Sequence, residues 1–204
     1  MAKITVNINK AALTASMTEG GNRSIVSSLI KQEWQNKIND AQKQMIQAYE
    51  NDPVTVEIDG GVLASNSSST LGGKGNLFSF IGFESGSDPT QPVKQLLRNK
   101  INFSVKALTN GNFKIEIAAP TKEALYNISP IPWNPGRSWL DGIEKGIAGL
   151  GSYVYKESPS SRSGKGIQTK TTVGGRFSNR SYMSTILKEF QRNVTKWRLN
   201  LQQN

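Results

Sequence analysis

The chain has 204 residues, 36% of them apolar and 20% charged, with a formal net charge of +10. Cysteine and histidine are both absent, which excludes a disulfide framework, thiolate or imidazole metal ligands, and Cys–His or Ser–His–Asp catalysis. No apolar run approaches the ~20 residues that span a bilayer, and the opening MAKITVNINK lacks the apolar stretch of a secretory signal. Only carboxylate, Lys, Tyr and hydroxyl groups remain for chemistry, so the composition points away from an enzyme, and no cofactor, metal or membrane contact is expected. The low apolar fraction predicts a modest core and much surface that is irregular or covered by a partner.

In chain order, residues 3–9 alternate, with Ile4, Val6 and Ile8 on one side, and predict a half-buried strand. Residues 23–50 predict the longest helix. Val26, Ile30, Trp34, Ile38, Ala41, Met45 and Tyr49 recur every three or four residues on it, and the other positions are mostly polar. Asn22 is a suitable N-cap, and Asp52-Pro53 stops the helix. The alternation of VTVEI predicts a strand over 54–58. Residues 64–75 (ASNSSSTLGGKG) offer only Leu71 to bury and predict an extended loop or arm with few contacts in its own subunit, mobile in the free protein unless a partner orders it. The apolar run NLFSFIGF predicts a strand or buried extended arm over 76–83.

Asp88-Pro89 predicts a helix start, with Val93, Leu96, Leu97 and Ile101 as its apolar stripe. Residues 101–108 and 113–119 flank Asn110-Gly111, whose tolerance of positive φ suits a tight hairpin turn. Phe103, Val105 and Ala107 are expected to pair with Phe113, Ile115 and Ile117 on one face. A short helix is predicted over 121–127, and three prolines exclude one over 129–136. Residues 138–150 read as a helix on Trp139, Ile143, Ile147 and Leu150. Gly142, Gly146 and Gly149 share a strip of it, which suggests close approach of another backbone, because glycine costs about 1 kcal/mol in a helix interior. Short strands are expected at 153–155 and 166–173, and a closing helix over 183–199. The expected fold is therefore one α+β domain over 1–204. It has a small antiparallel sheet packed on a long helix, a flexible loop at 64–75 and a basic arm at 157–180.

The positive charge is uneven: residues 157–204 hold nine basic and two acidic side chains. Arg162, Lys165, Lys170, Arg176 and Arg180 occupy the arm, and Lys188, Arg192 and Lys196 form a four-residue repeat on the closing helix. Such a surface can face nucleic acid, an acidic protein neighbour or solvent alone. Gly73-Lys74-Gly75 and Gly164-Lys165-Gly166 lack the hydroxyl residue that a phosphate-binding loop places after its lysine. Asp141 and Glu144 lie one turn apart on a helix, and Glu50 and Asp52 lie together near a helix end, which fits local helix-face or dipole effects better than a catalytic pair facing across a cleft.

Three segments carry a resemblance: LFSFIGFESGSDPTQPVKQLL at 77–97, WNPGRSWLDGIEKGIAGLGSYVY at 133–155 and RSGKGI at 162–167. The chain resembles virion proteins of tailed bacteriophages, of the neck and tail-completion (head–tail connector) kind, and most closely in Pro135-Gly136-Arg137-Ser138-Trp139. The resemblance implies a small α+β body with long arms, a structural protein that forms a homo-oligomeric ring at the head–tail junction. It implies other virion proteins as partners and possible contact with packaged DNA, in a particle assembled in the host cytoplasm. Tail terminator and minor capsid protein are rival virion roles; a nucleic-acid-binding protein using its basic C-terminal third is a rival of another class. Arg137, Gly142, Gly146, Gly149 and Leu71 are the expected interface residues.

Overall fold

The structure is a computed structural model of the chain and describes residues 2–8, 23–72, 75–108, 112–145, 152–155, 166–169 and 177–196. Its α+β architecture begins with a three-stranded antiparallel sheet of β1 (Ala2–Ile8), β2 (Asn102–Ala107) and β3 (Phe113–Ala119), ordered β1-β3-β2. Val105 lies opposite Ile115 and Phe103 opposite Ile117, and across the other ladder Val6 and Ile4 meet the same two isoleucines. The expected hairpin pairing is therefore present; its Asn110-Gly111 turn lies outside the described residues. Because side chains alternate across a strand, every second residue of β3, from Phe113 to Ala119, is buried on the inner face.

The long helix α1 (Arg23–Glu50) has the expected bounds. Its stripe from Ile30 through Trp34, Ile38, Ala41 and Met45 to Tyr49 is buried. Asn22 and the side chain of Val26 lie outside the described residues. The helix packs against β2 and against two further helices, α4 (Gln91–Arg98) and α7 (Met183–Thr195). Gln42 on α1 donates to the carbonyls of Leu97 and Asn99, both at 2.8 Å, and so satisfies carbonyls left open at the end of α4.

Two expected strands are helices. Residues 54–58 belong to α2 (Pro53–Asp59): the Asp52 carboxylate accepts from the Val54 N–H at 2.9 Å, with proline in the first turn. The Asp-Pro pair that ends α1 thus also starts the next helix. Val54 and Ile58 are buried one helical turn apart, while Val56, the middle residue of the apparent alternation, is 49% exposed. Residues 77–81 form α3 (Leu77–Ile81), capped by Asn76 at the Ser79 N–H and closed by Gly82 at φ 84°. That left-handed conformation suits glycine. All five residues of α3 are buried, so the run carries no periodicity that separates a strand from a helix.

The helix expected at Asp88 begins later, at Gln91; Asp88 still accepts from the Gln91 N–H at 3.1 Å. Val93, Leu97 and Ile101 are buried and Leu96 is partly so. The short helix α5 (Lys122–Asn127) is capped by Thr121. The proline-rich stretch forms a small hairpin of β4 (Pro130–Ile131) and β5 (Asn134–Ser138), followed by α6 (Trp139–Lys145). Residues 146–150, the expected end of that helix, lie outside the described residues. Further on, β6 (Ser152–Tyr155) pairs antiparallel with β7 (Gly166–Thr169). On α7, Ile186, Phe190 and Val194 face the core. Aromatic contacts tie the helices together: Tyr49 stacks on Tyr182, and the edge of one of Phe83 and Trp139 meets the face of the other. Among the described residues no helix is long and apolar enough to cross a membrane.

Candidate interface and basic surface

The loop read as an arm is packed into its own subunit. Glu57 points from α2 into the interior, 1% exposed. Its carboxylate accepts from the Asn66 amide at 2.9 and 3.0 Å, from the Ser68 N–H at 2.9 Å and from the Leu77 N–H at 2.6 Å. One buried carboxylate therefore anchors both ends of the loop and takes an N–H left open at the start of α3. Asn66 also accepts from the Leu71 N–H at 2.9 Å, and Ser69 adopts φ 60°, a tight turn that a non-glycine residue seldom makes. Leu71 is fully buried in the core. The expectation of a loop with few contacts of its own, and of Leu71 as an interface residue, is corrected on this point: a buried acid, together with hydrogen bonds among Asn66, Ser68 and Thr70 of the loop itself, supplies its partners inside the subunit. Gly73 and Lys74 lie outside the described residues.

The other expected interface residues divide. Arg137 is half-buried on β5. Gly142 is buried inside the subunit on α6, and Gly146 and Gly149 lie outside the described residues. In the expected basic arm, Arg162, Lys165, Lys170 and Arg176 also lie outside them. The last part of that arm packs on the body. Phe177 stacks on Phe80 at 5.5 Å, the Ser178 N–H donates to Thr70 at 2.7 Å and the Arg180 N–H donates to Ile143 at 3.0 Å. The Arg180 guanidinium reaches the Ser68 carbonyl at 3.4 Å. It clips the 64–72 loop, a structural role in place of the expected free basic surface.

Asp141 pairs with Lys145 at 2.7 Å along α6, a local helix-face pair as expected. Glu144 does something else: it crosses to the start of α7, where it accepts from the N–H groups of Tyr182 and Ser184 and from the Ser184 hydroxyl. Burial pushes its carboxyl up, but the Ser184 and Tyr182 hydrogen bonds and then Lys122 outweigh that and hold it below the usual carboxylate range.

Two adjoining surfaces among the described residues gather exposed basic groups. Lys188 and Arg192 on α7 and Lys196 at its C-cap are all exposed, with Arg192 paired to Glu189 at 3.2 Å. The second surface is the outer face of the sheet, which residue-by-residue charge counting missed. Lys3, Lys114 and Lys106 come from three different strands and surround Glu116 at 2.8, 3.0 and 3.1 Å. Hydrogen bonds from Lys3 first, then Lys114 and Lys106, draw the Glu116 carboxyl down to about 2. A groove of about 420 Å³ joins the two surfaces, lined by Lys3, Lys122, Glu123, Ser184, Lys188 and Gln191 among others. Alternation within each strand hints at the outward lysines, but only the register brings them together. No group of three or more metal-ligating side chains occurs among the described residues. No protein-family model, curated protein or solved structure shows a significant match to this chain.

Proposed function

We propose that the chain is a structural subunit of a tailed-phage virion, a neck or tail-completion ring protein that joins head to tail. The reading rests on the resemblance of residues 77–97, 133–155 and 162–167 to such proteins. One structural observation supports its assembly half. In the order β1-β3-β2, both β1 and β2 are edge strands among the described residues. Both run antiparallel to β3, so they are parallel to each other and offer two different edges. Pairing of the β1 edge of one copy with the β2 edge of the next is heterologous, and repeated head-to-tail contacts close into a ring when the rotation permits.

Mass spectrometry of purified virions is expected to detect the chain, and particles made without it are expected to be full heads and separate tails. Absence from virions, or normal joining without the chain, overturns the reading. Tails of uncontrolled length would favour a tail terminator, and defective heads a minor capsid protein.

A further inference from the structure

We propose that the outer face of the three-stranded sheet, with the adjoining groove beside Lys122 and Lys188, binds the phosphate backbone of duplex DNA without reading its sequence. Three lysines meet on that face, and their side chains are 63%, 36% and 60% exposed at Lys3, Lys114 and Lys106. They share a single carboxylate, Glu116, so the cluster keeps a net charge of +2 before any ligand arrives. Lys3 also lines the groove that holds Lys122, Lys188 and the single carboxylate Glu123; Lys122 is paired with Glu144 at 3.7 Å, so Lys3 and Lys188 are the cations that link the sheet face to α7.

The residue types favour this ligand over others. The remaining outward positions of the sheet are Thr5, Asn7, Asn102, Ser104 and Ala118. None is aromatic, so the face offers no platform on which unpaired bases could stack, as single-strand binders require. Thr, Asn and Ser are instead short hydrogen-bonding groups of the kind that contact phosphate and sugar. The cations of the sheet face are lysines, which are depleted in protein–protein interfaces and act as solvated point charges on phosphate. An acidic protein partner would be better matched by arginine forks.

Glu116 gives the proposal a sign that a merely solubilising surface lacks. The carboxylate competes with phosphate for the same three ammonium groups. Replacing it by an amide should therefore strengthen DNA binding, while replacing the lysines weakens it.

The test is fluorescence anisotropy of the full chain with a labelled random-sequence duplex of roughly 30 base pairs, between about 50 and 300 mM salt. Wild-type affinity should fall steeply with salt. The combined Lys3→Gln, Lys106→Gln, Lys114→Gln variant should bind at least ~10-fold more weakly, with a salt slope smaller by about 2–3. Glu116→Gln should bind about 3- to 10-fold more tightly, a gain that misfolding cannot imitate. A single strand of equal length should bind more weakly than the duplex. No duplex binding by the wild-type chain overturns the proposal, as would be found if the face served an acidic protein. Binding indifferent to both variants, or preference for the single strand, overturns it equally. None of these outcomes depends on whether the chain is a virion protein.

Discussion

Glu57 and Glu144 are two carboxylates with the same task, each satisfying backbone N–H groups that a helix start leaves open. Glu57 serves α3 and the 64–72 loop from a fully buried position. Glu57→Ala strands the Ser68 and Leu77 N–H groups and the Asn66 amide, and should destabilise by about 3 kcal/mol or more. Urea denaturation measures this, and limited proteolysis of the variant should cut within 64–72, where the wild-type chain resists. Glu144 and Glu116 give an acid-limb prediction. Both carboxyls lie below the ordinary value of 4.5 in the folded chain. Their stabilising contribution is thus present above that value and is lost as pH falls through the folded values, for Glu116 between 4.5 and about 2. Thermal unfolding should show Tm falling as pH drops below about 4.5. Glu144→Gln should lower Tm at neutral pH and flatten that acid limb.

At the scale of elements, the hairpin and α1 form the framework on which the rest is hung. Ile115 is fully buried at the centre of the middle strand, facing Val6 on one side and Val105 on the other. Ile115→Ala should cost roughly 2–5 kcal/mol, read from chemical denaturation, with the cavity term setting where in that range it falls. A cost near zero would place the inner face of the sheet in solvent. On α6, Gly142 is buried within the subunit, so a larger side chain there meets the subunit's own core. Gly142→Leu should therefore lower Tm of the isolated chain, at a cost of about 1–3 kcal/mol or more.

At the scale of the whole molecule, the proposed ring would use the two unlike sheet edges, and the proposed DNA site the exposed lysines of the sheet face. Light scattering on the purified chain should give a mass that rises with concentration in discrete multiples of 22.3 kDa. A monomer mass at every concentration would leave the ring without its driving contact. The ring and the DNA face make separate demands: edge pairing uses backbone groups of β1 and β2, whereas phosphate binding uses side chains that point away from the core. Substitution of the three outer-face lysines should therefore leave the assembled mass unchanged.

Several features were legible from residue order alone because their causes are local. Apolar spacing set the bounds of α1, and the alternation flanking Asn110-Gly111 defined β2 and β3. The short helix expected over 121–127 is present as α5, with Thr121 at its cap. Other features were decided by burial, by helix caps that compete with the local pattern, or by contacts outside the segment. Residues 54–58 alternate like a strand, yet Asp52-Pro53 and the burial of Val54 and Ile58 on one helical face decide for a helix. The run at 77–81 is apolar throughout, so only its capping by Asn76 and Gly82 and its enclosure on every side select α3. The Ser/Asn-rich loop reads as unsupported until Glu57, on the preceding helix, is placed within hydrogen-bonding reach. The cationic sheet face likewise joins Lys3, Lys106 and Lys114 across more than a hundred residues of chain. Composition determined which chemistries this protein lacks. Strand register and burial, which depend on every neighbour at once, decided where its charged groups gather.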